Sequence, residues 1–132
     1  MLFSREILVP PSTSRDAPLR EVIDITNGVI RRVWIRWRRG IGWLGGCQLW
    51  QGGVQRWPLT LGEFFPSFHE PIEFETWHPV LTEPYTLEIR AYNTDDTYSH
   101  RLWVAVLMER AEITQEAQEF IAWITRRAPR EE

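Results

Sequence analysis

The side chains with most chemistry to offer are His69, His78 and His100, with the carboxylates Glu70, Glu73, Asp95 and Asp96 as company. Imidazoles and carboxylates hold zinc and related metals when two or three of them recur at short, regular spacings. Here His69 and His78 stand nine residues apart and His100 lies far downstream, with no HxH or HExxH pattern, so neither a metal site nor a metal cofactor is expected. The Asp95-Asp96 pair within NTDDT leaves two options, a share in a Ca²⁺ site or the capping of turn N–H groups, and capping is the commoner use of paired acids in a turn. Ser67, Ser99 and Cys47 lack an elbow motif or an activating neighbour. Glu73 and Glu75 would stand about 6–7 Å apart on one strand face, which ordinary solvent-facing alternation explains better than a glycosidase pair. The Gly-rich stretch GIGWLGG leads into a strand-like segment rather than a helix, so it is not a phosphate loop. No catalytic residue, no cofactor and no enzymatic activity are expected.

Binding chemistry is better represented. Eight Trp, at positions 34, 37, 43, 50, 57, 77, 103 and 123, exceed what one small interior needs, so some should lie at a surface that another molecule covers. All fifteen basic residues are Arg, whose planar guanidinium stacks on rings and pairs with carboxylates through two parallel hydrogen bonds. The candidate interface residues are Arg32, Trp34, Arg36, Trp43, Trp50, Trp57, Trp103 and Trp123. Arg and Trp alternate from Arg32 to Arg38 at a spacing that allows stacking along a sheet; the plainer alternative is that Trp34 covers Arg stems on a solvated face. Charge is uneven: residues 31–39 hold five Arg and no acid, whereas Glu63 to Glu88 is mostly acidic, and such patches could meet between subunits.

At 132 residues and 43% hydrophobic content the chain fits one globular core. A net charge of −3 gives no global attraction to nucleic acid, and the lone Cys47 allows no internal disulfide. The opening MLFSREILVPPSTSRD lacks a basic start followed by an apolar run, and no stretch approaches the ~20 apolar residues of a membrane span, so cytoplasmic synthesis without membrane insertion is expected.

The elements that must position these residues are short strands. Residues 3–9 form a first strand and PPSTS a turn or an exchangeable arm; residues 1–17 are thus an N-terminal strand and arm, 18–110 a β-sandwich and 111–132 a C-terminal helix and tail, all within one domain. Asn27-Gly28, after LREVIDIT, predicts a tight hairpin into residues 29–38, whose inward face would be Val29, Val33, Ile35 and Trp37, interrupted by Arg31. Gly40 to Gly46 predicts a loop carrying Trp43 and Leu44 outward or folding them over the sandwich end. Gly52-Gly53 predicts a second hairpin with Trp50 and Trp57 paired across it, ending at Pro58, and residues 60–71 a long crossover between sheets. Alternation continues through 72–77, 85–92 and 100–108, the last strand apolar on both faces. A helix over 114–127, with Thr114 as N-cap, Glu116 in its first turn, a stripe of Ala117, Phe120, Ile121 and Ile124, and Arg126 and Arg127 before Pro129, could cover that second face or pack on a neighbouring subunit.

The fold class expected is mainly β, an antiparallel β-sandwich of jelly-roll or immunoglobulin-like Greek-key type with a short C-terminal α-helix. The run from LREVIDITNG to YTLEIRAYNTDDTYSHRLWVAV, residues 18–109, resembles by architecture the small jelly-roll proteins of virions, including capsid decoration and spike components. That resemblance implies a homo-oligomer, a trimer or a set of copies on a capsid or tail lattice, with the arm and helix as subunit contacts. Two functions follow: a self-associating structural protein bound to a larger assembly, or a carbohydrate-binding module that stacks glycans on Trp34, Trp50 and Trp57. Single-stranded nucleic acid on residues 31–39 is a weaker third, opposed by the net acidity.

Overall fold

The structure is a computed structural model that describes residues 1–68, 70–110, 120 and 122–124. Among the described residues nine strands follow in order: β1 (Leu2–Val9), β2 (Leu19–Asp24), β3 (Gly28–Trp37), β4 (Gly45–Gln51), β5 (Val54–Trp57), β6 (Phe65–Pro66), β7 (Ile72–Val80), β8 (Thr86–Asn93) and β9 (His100–Glu109). Their pairing is nested. β1 pairs with β9, β2 with β8, β3 with β7 and β4 with β5, all antiparallel, so the first half of the chain runs as one long ribbon with the second. Folding that ribbon over itself adds β3–β9 and β4–β8 and yields a four-stranded sheet β1-β9-β3-β7 facing a five-stranded sheet β2-β8-β4-β5, with β6 on β4. This order defines an eight-stranded jelly roll with one added short strand, and selects it over the immunoglobulin alternative.

Period-two patterning gives the core. Ile7 and Val9, Val33, Ile35 and Trp37, Leu49, Leu87 and Ile89, and Leu102, Val104, Val106 and Met108 point between the sheets and are buried. Branched side chains on a pleated, half-buried surface are what a strand packs best.

Three expectations change, and one choice between alternatives is decided. The Asn27-Gly28 turn does not close a hairpin: β2 and β3 belong to opposite sheets, and residues 25–27 carry the chain across the sandwich end. Gly28 is needed for a different reason, since at φ +149 a Cβ there would stand 2.6 Å from the Glu109 carbonyl oxygen. In β3 a register shift between Ile30 and Arg32 turns Ile30 into the core and Arg31 outward, reversing their expected faces. At Gly52-Gly53, with φ +66 and +78, the hairpin forms as expected, but a second shift puts Trp57 opposite Leu49 on the inward face and leaves Trp50 outward, so the two rings do not pair. Finally, of the two options for PPSTS the turn is the one formed: Ser12 N donates to the Asp95 carbonyl, and Thr13 and Asn93 exchange both backbone hydrogen bonds.

Phe120 and residues 122–124 are helical. Of the expected stripe, Phe120 and Ile124 are exposed. Thr114, Glu116, Ala117, Ile121, Arg126, Arg127 and Pro129 lie outside the described residues, as does His69.

Candidate interface on the four-stranded sheet

The registers of β1, β9, β3 and β7 set the outward side chains of this sheet in rows. Leu2, Leu107, Arg32 and Glu75 make the first row; Ser4, Ala105, Trp34 and Glu73 the second; Glu6, Trp103 and Arg36 the third; Leu8 and Arg101, beside Arg38, the fourth. A sheet face open to water alternates toward polar residues. This one carries two half-buried indoles on adjacent rows, with Ala105 at 0% exposure beside Trp34 and three leucines, Leu2, Leu8 and Leu107, exposed along β1 and β9.

Carboxylates frame the arginines. Arg32 bonds Glu73 at 2.9 Å and also Glu75, and its guanidinium lies 5.9 Å from the Trp34 ring centre. Arg31 meets Glu109 at 2.5 Å and stacks 4.9 Å over Trp77. Arg38 meets Glu6 at 2.7 Å, and that hydrogen bond, reinforced by the charges of Arg38 and Arg101, holds the Glu6 carboxyl below its ordinary range. The acidic run and the Arg run therefore meet within one chain, where β7 lies beside β3, rather than only between subunits. Exposed pairs of this kind contribute little stability each, and they fix side-chain directions more than they strengthen the fold.

The remaining aromatic residues are scattered. Trp43 is 67% exposed at the sandwich end, stacked on Phe68 at 4.5 Å. Trp50 lies on the outer face of the other sheet with Arg90 3.5 Å over its ring and its N–H donated to Gln48. Trp57, at 6% exposure, is a core residue packed edge-on to His78 and cannot be a binding platform. Trp123 is helical, exposed and stacked on Phe120. Of the eight candidate residues, the structure brings Arg32, Trp34, Arg36 and Trp103 together on one face and places Trp43, Trp50 and Trp57 elsewhere.

Alternation placed Trp77 outward, and it is exposed there under Arg31, outside the candidate set. One feature was missed. Residues 58–64 form a loop held by Gln55, whose Nε2 donates to the carbonyls of Pro58, Thr60 and Glu63 and whose Oε1 accepts from Gly62 N, leaving Leu59 and Leu61 84% and 75% exposed. The bracketing Pro58 and Gly62 were the only local signal.

The groups first considered for catalysis have structural partners. Asp95 Oδ2 lies 2.8 Å from His100 Nε2 while Oδ1 accepts from Thr97 and Tyr98 N–H, so this acid caps the β8–β9 turn; its pKa is lowered, first by the His100 hydrogen bond. Ser67 is buried, donating to the Gly42 carbonyl and accepting from Gly45 N. Burial pushes the Cys47 thiol up to about 12, which leaves it unreactive. Among the described residues no three His, Cys, Asp or Glu side chains are grouped to hold a metal ion, and no helix is long and apolar enough to cross a membrane. Fold and surface together define a jelly-roll domain with an aromatic, arginine-framed sheet face. Comparisons with protein-family models, curated proteins and solved structures return no match for this chain.

Proposed function

We propose that this chain is a non-enzymatic, self-associating building block that joins copies of itself and a larger assembly, such as a virion capsid that it decorates. One observation carries the proposal: the half-buried Trp34 and Trp103 and the exposed Leu2, Leu8 and Leu107 stand on three adjacent strands of the outward face of the β1-β9-β3-β7 sheet. Aromatic residues and Arg at the centre of a patch, with carboxylates at its margin, are the composition of association surfaces. Burying these indoles and leucines against a second copy removes apolar area from water at about 25 cal/mol per Å². The sugar-binding alternative loses support, since Trp57 is inside the core and Arg90 occupies one face of Trp50.

Light scattering after size exclusion tests the proposal. A mass at a multiple of 15.7 kDa is expected at micromolar concentration, falling to the single-chain mass in the double variant Leu2→Glu/Leu107→Glu. A single-chain mass for the unaltered protein, or a Trp fluorescence response to glycans, overturns it.

A further inference from the structure

At the third and fourth rows of the same sheet, positive charge is concentrated. Arg36, Arg38, Arg39 and Arg101 are exposed there around a single acid, Glu6, so the corner carries +3, while the described residues together hold 12 Arg and 13 acids, net −1, which leaves −4 for the rest of them. Arg38 is engaged by Glu6, while among the described residues neither Arg36 nor Arg39 is in an ion pair. A hollow of about 880 Å³ opens at this corner, lined by Glu6, Arg36, Arg38, Arg39, Pro71 and Trp103. Its size falls within the range of ligand sites, and it offers guanidinium forks beside an indole.

We propose that this corner is a docking site for an extended acidic peptide segment of the assembly partner, with carboxylates at alternate positions and an apolar side chain on Trp103. The proposal rests on the assembly reading for its partner, and on the corner itself for its chemistry. Arg36 and Arg38 are two residues apart on one face of the chain, a spacing of about 7 Å, which is also the separation of side chains i and i+2 in an extended peptide. Arg36 is directly opposite Trp103 in the β3–β9 register, so acidic and apolar side chains of one segment meet matching partners. Attraction is local, because screening confines it to about 8 Å at physiological salt. A short acidic segment stays within the corner. A nucleic acid strand would run beyond it onto described residues whose net charge is −4 and be repelled, which favours the peptide.

The test is fluorescence anisotropy with a labelled octapeptide of alternating Glu and Phe, a control octapeptide with Lys replacing Glu, and an eight-residue oligothymidylate. The acidic peptide alone should bind, less tightly as salt rises, and roughly tenfold or more weakly to Arg36→Glu/Arg39→Glu. Arg20→Glu, on the outer face of the opposite sheet, should leave binding unchanged, and near-UV circular dichroism should confirm that both variants fold. Leu2→Glu/Leu107→Glu should bind the peptide at least as tightly, since its substitutions lie in the first row and the loss of self-association leaves Trp103 free; loss of self-association and loss of peptide binding are thereby separate results. Equal binding of the Lys peptide, oligothymidylate binding as tight as that of the acidic peptide, retention by the Arg double variant, or no binding of the acidic peptide each overturns the proposal.

Discussion

His78 sits partly buried between Trp57, whose ring it meets edge-on at 5.4 Å, and Gln51, whose Oε1 is 3.1 Å from its Nε2. Burial, followed by the nearby charge of Arg56, lowers its pKa from the ordinary 6.5. The unfolded chain therefore binds a proton on this residue at a higher pH than the folded one does, so the stabilisation is complete above 6.5 and is lost as pH falls through the folded value. Melting temperature should decline as pH drops below about 6.5, and His78→Gln should flatten that decline; an unchanged slope in the variant would remove His78 as its origin. Asp95 and Glu6 act in the same direction at lower pH, because both carboxyls are held below their ordinary values and lose their partners' help only on strong acidification. None of this was visible in the sequence, where His78 was one of three scattered imidazoles. Its surroundings come from Trp57 on β5 and Gln51 on β4, brought beside β7 by the fold.

Among the elements, the loop 58–64 shows how one polar side chain replaces a secondary-structure ladder. Gln55 is buried, accepting from the Gly62 N–H and donating to the carbonyls of Pro58, Thr60 and Glu63, the last two of which also accept from Glu63 N–H and Gln48 Nε2 respectively. Gln55→Ala should cost about 1–3 kcal/mol and open the loop to protease cleavage between Pro58 and Glu63, with the other strands intact; cleavage no faster than in the unaltered chain would show that the loop is held by something else. Legibility at this scale followed locality. Gly52-Gly53 was readable because a two-residue turn is decided by the backbone of those residues alone. Asn27-Gly28 gave the same kind of signal, but the path taken there is decided by β9, whose Glu109 carbonyl approaches Gly28, a partner about eighty residues away in sequence. The shifts in β3 and β5 were hidden for a related reason: period-two alternation assumes an unbroken pleat, and one displaced residue exchanges inside for outside, as Ile30, Arg31 and Trp57 do. Strand existence survived these errors; the membership of the candidate face did not, which is why Trp57 left it and Trp34, Arg36 and Trp103 stayed.

Over the whole molecule, nested pairing makes the two ends of the ribbon interdependent. Leu2 is opposite Leu107, Val9 is opposite His100, and the Met1 amino group donates to the Met108 carbonyl at 2.7 Å, so β1 is an edge of the four-stranded sheet and not an appendage. Its inward residues Ile7 and Val9 are buried, and Phe3 packs against the core. Removing residues 1–9 would forfeit about 1.5–3 kcal/mol for each buried side chain and leave β9 as an unpaired apolar edge. Added together, the losses approach the 5–15 kcal/mol that typically separates a folded domain from its unfolded chain. The shortened protein should lack a cooperative thermal transition by circular dichroism and bind a hydrophobic dye. A sharp melt within a few degrees of the full chain would mean that β1 is dispensable, and then the apolar face proposed for self-association, two of whose leucines β1 supplies, would shrink to the residues of β9 and β3.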